Sequence, residues 1–421
     1  MATVNIVRHK PISIFSGTVE VVITYDDTSV VRLIEPSGNV GSQYPKELGS
    51  QWFGTIENLS PGLTRGGATW ADVYKTDVLW TTPSDSRDEC EAYRDAFNAV
   101  YGPMIQAVTG GPLNSNRMAR FTHSEGFPDP EALFEVQIKA VKGEEVTINK
   151  GTIEYGSWTD HQPSGASVQH TDSNGNLVTS LGDDVRQEVE FILKEQYEKP
   201  LAEKGVDFRT QTAWLEILVG VDDLSDKTWN SVENVGKAVS DFLGETSQVW
   251  DRIDHISHAV VDYFGEHCPA GKIYPVSRIP NLDGIVEPQP RCIVGEDVTI
   301  DRSGDIVDGF STWTAVRHSG VSEVLVSGVG GDDGNAILNT IDGHVKAAGG
   351  TSLKADGVFN NAYICAAESS ESGRARIGTF NEQFSGYYEG TAPAGRTAQF
   401  VPGFMNKANI CGISNRSIFA D

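Results

Sequence analysis

The stretch Gly349-Gly350-Thr351-Ser352-Leu353-Lys354-Ala355-Asp356-Gly357-Val358-Phe359-Asn360-Asn361-Ala362-Tyr363-Ile364 decides the fold, because it occurs three times. Here it follows a helical pattern over 335–348 and leads into an apolar run. An earlier copy, Gly66-Gly67-Ala68-Thr69-Trp70-Ala71-Asp72-Val73-Tyr74-Lys75, follows a helical pattern near 56–64. A more diverged one, Lys204-Gly205-Val206-Asp207-Phe208-Arg209, follows an amphipathic pattern over 184–203. In each copy a glycine stands where a helix must stop and a β-rich run begins, the position at which a left-handed residue ends a helix.

The surroundings repeat as well. A second helix carries Ala96-Phe97-Asn98-Ala99-Val100-Tyr101 in the first pass, Ser257-His258-Ala259-Val260 running to Tyr263-Phe264 in the second, and Phe380-Asn381-Glu382-Gln383-Phe384 in the third. A closing strand follows at 132–141, 284–294 and 408–420, and each pass opens on a strand entering a turn, twice through Pro-Ser-Gly (Pro36-Ser37-Gly38 and Pro163-Ser164-Gly165). The order reads ββαβαββ three times, an α+β arrangement with helices on one face of each sheet. The expected units are 1–145, 146–300 and 301–421, the second carrying an insertion at about 222–252.

A chain of 421 residues, 39% hydrophobic, has ample material for such a core. Its net charge of −25, from 58 acids and 33 bases, would repel phosphate backbones and anionic lipid, so neither nucleic acid nor a membrane is an expected partner. No apolar run has the length of a bilayer span and the first residues lack a signal-peptide pattern, which leads to the expectation of a cytoplasmic protein. The five cysteines are scattered with no C-x-x-C pair, so neither a disulfide framework nor a zinc ribbon is indicated.

The repeat, with these residues, resembles the reactive intermediate deaminase (RidA/YjgF) family. The third unit carries the resemblance best, through AILNTIDGHVKAAGG and FNEQFSGYYEGTAPAGR. The first carries it through GGATWADVYKTDVLW and FPDPEALFEVQIKAV, and the second through VDYFGEHCPAG. Members of that family are homotrimers with ligand clefts between subunits. The resemblance therefore implies a chorismate-mutase-like α+β fold of three tandem RidA/YjgF-like units, arranged as a single-chain pseudo-trimer, either monomeric or in a higher homo-oligomer. It implies a small-molecule substrate, no cofactor and no metal.

In the family an arginine after the second helix grips a substrate carboxylate, and a glutamate fifteen residues on helps position the water that attacks an imine carbon. Arg120 and Glu135 stand at this spacing in the first unit, and the chemistry suits them, since a guanidinium fixes a planar carboxylate while a nearby acid moves a proton. In the third unit Arg396 is present, but the same count lands on Cys411. A thiol beside an arginine would be either a nucleophile or a core filler. In the second unit Gly271 replaces the arginine, Glu287 keeps the acid with one extra residue between, and Lys272 or Arg278 offers a cation. The family's helical asparagine is kept as Asn98 and Asn381, for substrate contact or a local hydrogen bond, and becomes Ser257 in the second unit. Arg120, Glu135 and Cys411 are thus the expected catalytic residues, with Arg396, Asn98, Asn381 and Glu287 as substrate-binding ones.

Asp251, Asp254, His255 and His258 share one helix face, but such a face is ordinarily a solvated one. The run Gly328 to Gly334 lacks the ending of a phosphate loop and reads as a turn in which Asn335 caps the next helix. The resemblance favours hydrolysis of a carboxylate-bearing imine or enamine. Two other enzymatic readings stay open on similar folds, a biosynthetic enzyme of chorismatase type and a cyclic-amide hydrolase, although three equivalent Ser–Lys pairs are not found. A non-catalytic binding or chaperone-like module is the remaining alternative.

Overall fold

The chain was described from a computed structural model, which covers residues 1–11, 15–81, 87–109, 118–124, 126–149, 151–182, 184–220, 248–276, 279, 284–366, 370–401 and 409–421. The side chains of Arg87, of 89–90, 118–124, 248–249 and of Ser370 lie outside this description.

The first pass folds as β1 (Thr3–Pro11), β2 (Ser16–Thr24), β3 (Val30–Pro36), α1 (Leu48–Arg65), β4 (Val73–Thr81), α2 (Arg87–Thr109), β5 (Met118–Ser124) and β6 (Phe134–Gly143). The second has β7 (Val146–Asn149), β8 (Thr152–Tyr155), β9 (Trp158–His161) and a small hairpin of β10 (His170–Thr171) with β11 (Leu177–Val178). It continues with α3 (Val185–Phe191), β12 (Thr212–Gly220), α4 (Gln248–Phe264), β13 (Ala270–Val276) and β14 (Val286–Gly295). The third has β15 (Thr299–Arg302), β16 (Ile306–Val307), β17 (Phe310–Ser311), β18 (Trp313–His318), β19 (Val321–Gly331), α5 (Gly334–Ala347), β20 (Gly357–Cys365), α6 (Ser370–Tyr387), β21 (Gly395–Val401) and β22 (Cys411–Ala420).

The three main sheets have one order. It is β1-β2-β3-β6-β4-β5 in the first, β7-β8-β9-β14-β12-β13 in the second and β15-β18-β19-β22-β20-β21 in the third, with β17 and β16 added to the edge of the second. The fold is therefore α+β with three tandem units of one topology. Each sheet opens on three strands where the repeat suggested fewer, because the leading strands differ too much in sequence to be counted as copies. The third sheet starts at Thr299 and the first ends at Gly143.

The repeated glycine motif has a common local structure. Gly67, Gly205 and Gly349 have φ of 74°, 77° and 103°, the left-handed region that glycine adopts without a Cβ penalty. A single helical turn follows each, capped by the side chain of Thr69, Asp207 or Ser352, and then the strand begins. The helix that precedes this motif in the third unit, α5, is capped by Asp333, which accepts from the amides of Asn335 and Ala336, so the expected cap at Asn335 falls two residues late.

Helices cover one face of each sheet around separate apolar cores, Trp52, Phe97 and Phe134 in the first, Ile192, Leu215 and Phe264 in the second, and Ile337, Phe384 and Ile413 in the third. The other faces meet in a shared core containing Val21, Ala213, Val316 and Phe359. A polar layer also joins the sheets. Arg291 of β14 pairs with Asp160 of β9 at 2.8 Å and with Glu323 of β19 at 2.5 Å, while Arg416 of β22 pairs with Glu323 at 2.6 Å and with Glu35 of β3. Removing one member would leave a buried charge unpaired, which costs about 3–5 kcal/mol. Among the described residues no helix is long and apolar enough to cross a membrane.

Candidate functional site: three clefts on one ladder position

Equivalent positions follow from hydrogen-bonded register. Each first crossover strand starts with a bulge, at Val73/Lys75, Thr212/Trp214 and Gly357/Phe359. Four residues past the bulge, Leu79, Leu218 and Tyr363 pair with Glu135, Glu287 and Gly412 of the closing strands. The position of the two acids is thus taken in the third unit by Gly412.

That register corrects the expectation for Cys411. A slip of one residue moves a side chain to the opposite face of a sheet. Cys411 belongs to the apolar core beneath α5 and α6, its Sγ donates to the Gly331 carbonyl at 3.3 Å, and burial pushes its thiol up to about 12. A thiol in that environment stays protonated, so Cys411 is core filler and no nucleophile.

Glu135 lies on β6 of the first unit and meets the third unit. Thr397 Oγ1 donates to Glu135 Oε1, and Arg396 on β21 is near enough for each charge to act on the other. Arg396 Nη1 donates to Asn381 Oδ1 at 2.7 Å, and its guanidinium lies 5.2 Å from the Phe384 ring, so α6 sets its direction. The Pro-Ser-Gly loop clamps the boundary between the units. The Arg396 amide donates to Ser37 Oγ at 3.0 Å, and the Gly38 amide donates to the Arg396 carbonyl at 3.3 Å. A Cβ on Gly38 would stand 1.8 Å from Glu135 Oε1, so the carboxyl fills the space a side chain would need. Burial raises Glu135 to about 7 against the pull of Thr397 and Arg396, and burial lowers Arg396 to about 10. Glu135 also reaches an open depression lined by Asn39, Gln43, Asn58 and Phe127.

Glu287 repeats part of this arrangement against the first unit. A Cβ on Gly165 would lie 2.3 Å from Glu287 Oε1, the same glycine cradle in the second Pro-Ser-Gly loop. Its cavity brings Glu287, Ser167 and Gln196 opposite Trp80, Arg94 and Asn98 of the first unit. Ser167 Oγ is buried there with no hydrogen-bond partner among the described residues. The helix after α3 passes through a π-helical stretch, Ile192–Glu198, that carries Tyr197. The Tyr197 hydroxyl lies 2.9 Å from the Ser164 carbonyl and 2.6 Å from that of Pro288, tying the loop to the strand beside Glu287.

Arg120 falls on β5, paired in register with Asp77, while its side chain lies outside the described residues. Lys272 pairs with Glu216 and Thr397 with Asn361 at the same position, whereas Arg396 shares its position with Gly271, one residue earlier. The structure therefore brings Glu135 together with Arg396 of another unit, and Asn98 together with Glu287. Arg278 lies outside the described residues, and Lys272 turns to the interior, 3.2 Å from Glu216. His258 Nδ1 is 3.5 Å from Asp254 Oδ2 on an exposed face of α4. The residues sequence reasoning missed are Gly38, Gly165 and Thr397. The doubled Pro-Ser-Gly was the available signal for the two glycines, and nothing local marked Thr397.

No family model matches the chain, and no curated protein matches it. Among solved structures it is similar to a chorismatase, with 10% identity over 82% of this chain and 93% of that one, at a TM-score of 0.44. It is also similar to the cyanuric acid hydrolase of A. caulinodans, 8% identical over 93% and 98% of the two chains at 0.41. A member of the YjgF/YER057c/UK114 family from Mycobacterium tuberculosis matches 26% of this chain and 77% of its own at 21% identity and 0.18. Likeness of this degree carries no functional argument, so the reading of function rests on the clefts themselves.

Proposed function

We propose that the chain is a hydrolase working as a single-chain pseudo-trimer, and that the cleft between its first and third units hydrolyses a small imine or enamine bearing a carboxylate. The observation that carries this is a buried acid with a pKa of about 7 set across a unit boundary from a buried arginine. Arg396, aimed by Asn381, offers its remaining guanidinium N–H groups to the substrate carboxylate. As carboxylate, Glu135 accepts a proton from water while the water oxygen attacks the imine carbon, forming a carbinolamine. It returns that proton to nitrogen, and in a second transfer takes the carbinolamine hydroxyl proton and delivers it to nitrogen as the C=O bond forms and the C–N bond breaks, so that an amine or ammonia leaves a carbonyl product and Glu135 ends as the carboxylate. An acid half-ionised near neutral pH suits both transfers. Thr397 Oγ1 and the Ala398 amide both donate to the carboxyl, which fixes its orientation toward the water.

Ring opening of a cyclic amide has less support. Lys272 Nζ stands 3.4 Å from Ser414 Oγ, but the corresponding position between the third and first units holds Thr397 and Gln137.

The test is ammonia and keto-acid release from imines made in situ by an amino-acid oxidase, comparing wild type with Arg396→Ala. Acceleration by wild type, lowered about 10²-fold or more in kcat/KM by the substitution, is the expected result. Absence of acceleration by wild type rejects the proposal.

A further inference from the structure

The cleft between the second and third units keeps neither ionic group of the Glu135 cleft. Gly412 stands at the position of the acids and Gly271 at that of Arg396. The arginine's space is filled, since a Cβ on Gly271 would lie 2.5 Å from Phe310 Cδ1. Phe310 belongs to the β16–β17 hairpin, which the chain inserts between β15 and β18 and docks on the edge of the second sheet through Ser311 and Ala270. A cavity of about 290 Å³ nevertheless remains, with walls that include Ile273, Val329, Ile413 and Val307.

Its floor is aromatic and internally satisfied. Lys272 Nζ lies 4.2 Å from the Tyr363 ring centre and 5.3 Å from that of Tyr274, and the two rings are 4.9 Å apart. The ammonium has three N–H groups, and Tyr363 Oη, Ser414 Oγ and Glu216 are among its partners. The floor therefore presents rings to a ligand with its charge already compensated. At the mouth, burial pushes His344 down, toward its neutral form. Over the same mouth the hairpin tip exposes Ile306 and Val307, which are 42% and 54% accessible, an apolar edge at the entrance to an apolar cleft.

We propose that this third cleft is a separate ligand site for a small, uncharged, ring-bearing molecule, held between the Tyr274–Tyr363 floor and the Val307 hairpin. A carboxylate entering it would be desolvated between apolar and aromatic walls, beside a Lys272 already engaged with Glu216, which is costly. The site is independent of imine hydrolysis at Glu135, so either reading can fail without the other.

The test uses the full chain with indole as probe and indole-3-carboxylate as the charged form of the same ring, by calorimetry or ligand-observed NMR. Indole is expected to saturate one site and to bind at least about tenfold tighter than the carboxylate. Gly412→Glu, which restores an acid at the ladder position, is expected to weaken indole about tenfold or more. Val307→Asp lies on an exposed tip, so it gives a comparable loss in a chain whose core is untouched if Gly412→Glu does not fold. Glu135→Gln leaves indole binding unchanged. The proposal is overturned if indole does not saturate, if the carboxylate binds as tightly, or if Val307→Asp binds indole as wild type does.

Discussion

The cleft of Glu135 and the cleft of Gly412 occupy the same ladder position of the same sheet order, and they have become chemical opposites. In the first, a buried acid and a buried arginine face each other across a unit boundary. In the other, two glycines stand in their places and a phenylalanine fills the arginine's volume. The backbone supplies a crevice in either case, and the side chains at two register positions decide whether it handles charge. Joining the units in one chain allows this, because each cleft can diverge without altering the others, as identical subunits cannot.

The comparison breaks most sharply at Glu135. Glu135→Gln keeps an acceptor for Thr397 and removes the proton carrier, so hydrolysis is expected to fall about 10²–10³-fold while indole binding at the third cleft stays constant. Equal loss of both readouts would show that the two clefts are not independent. In wild type, kcat/KM is expected to rise with pH through about 7 as Glu135 ionises. In Arg396→Ala the residual activity should rise at higher pH, because the cation that favours the carboxylate has gone.

Gly38→Ala sharpens the comparison between the two clefts that keep an acid. The added methyl collides with Glu135 Oε1, so about tenfold loss of kcat/KM is expected from displacement of the carboxyl. Gly165→Ala, which meets Glu287 in the same way, should leave imine hydrolysis unchanged if only the first cleft works. Parallel loss in both variants would put Glu287 to work as well.

The smallest effect is on stability. Glu135 is raised in the folded chain, so between about pH 4.5 and 7 the folded state holds a proton that the unfolded state has released. Stability from this group is therefore present below that window and declines as pH rises through it. Glu135→Gln removes the loss and should stabilise the chain by on the order of 1–3 kcal/mol at pH 8, with little change at pH 4. Thermal unfolding at the two pH values checks the sign.

Much of the fold was legible because helix stops and strand starts are local events. Gly67, Gly205 and Gly349, followed by the caps Thr69, Asp207 and Ser352, mark them in plain sequence. The acids Glu135 and Glu287 were reached through the family resemblance, by counting from the family's arginine position. The same spacing failed at Cys411, because a count through a loop carries the loop's length with it while hydrogen-bonded register does not. A single residue of difference turned a cleft position into a core position.

The sequence by itself determined three passes of one α+β pattern, the strongly negative charge, and which residue types were present to do chemistry. Only the tertiary structure decided which of them meet. Glu135 and Arg396 are 261 positions apart and belong to different units, and no local periodicity encodes a contact between the edge strand of one sheet and an inner strand of another. Their environment was decided there too, since the shift of Glu135 comes chiefly from burial, a property of everything packed around it and of no neighbour along the chain.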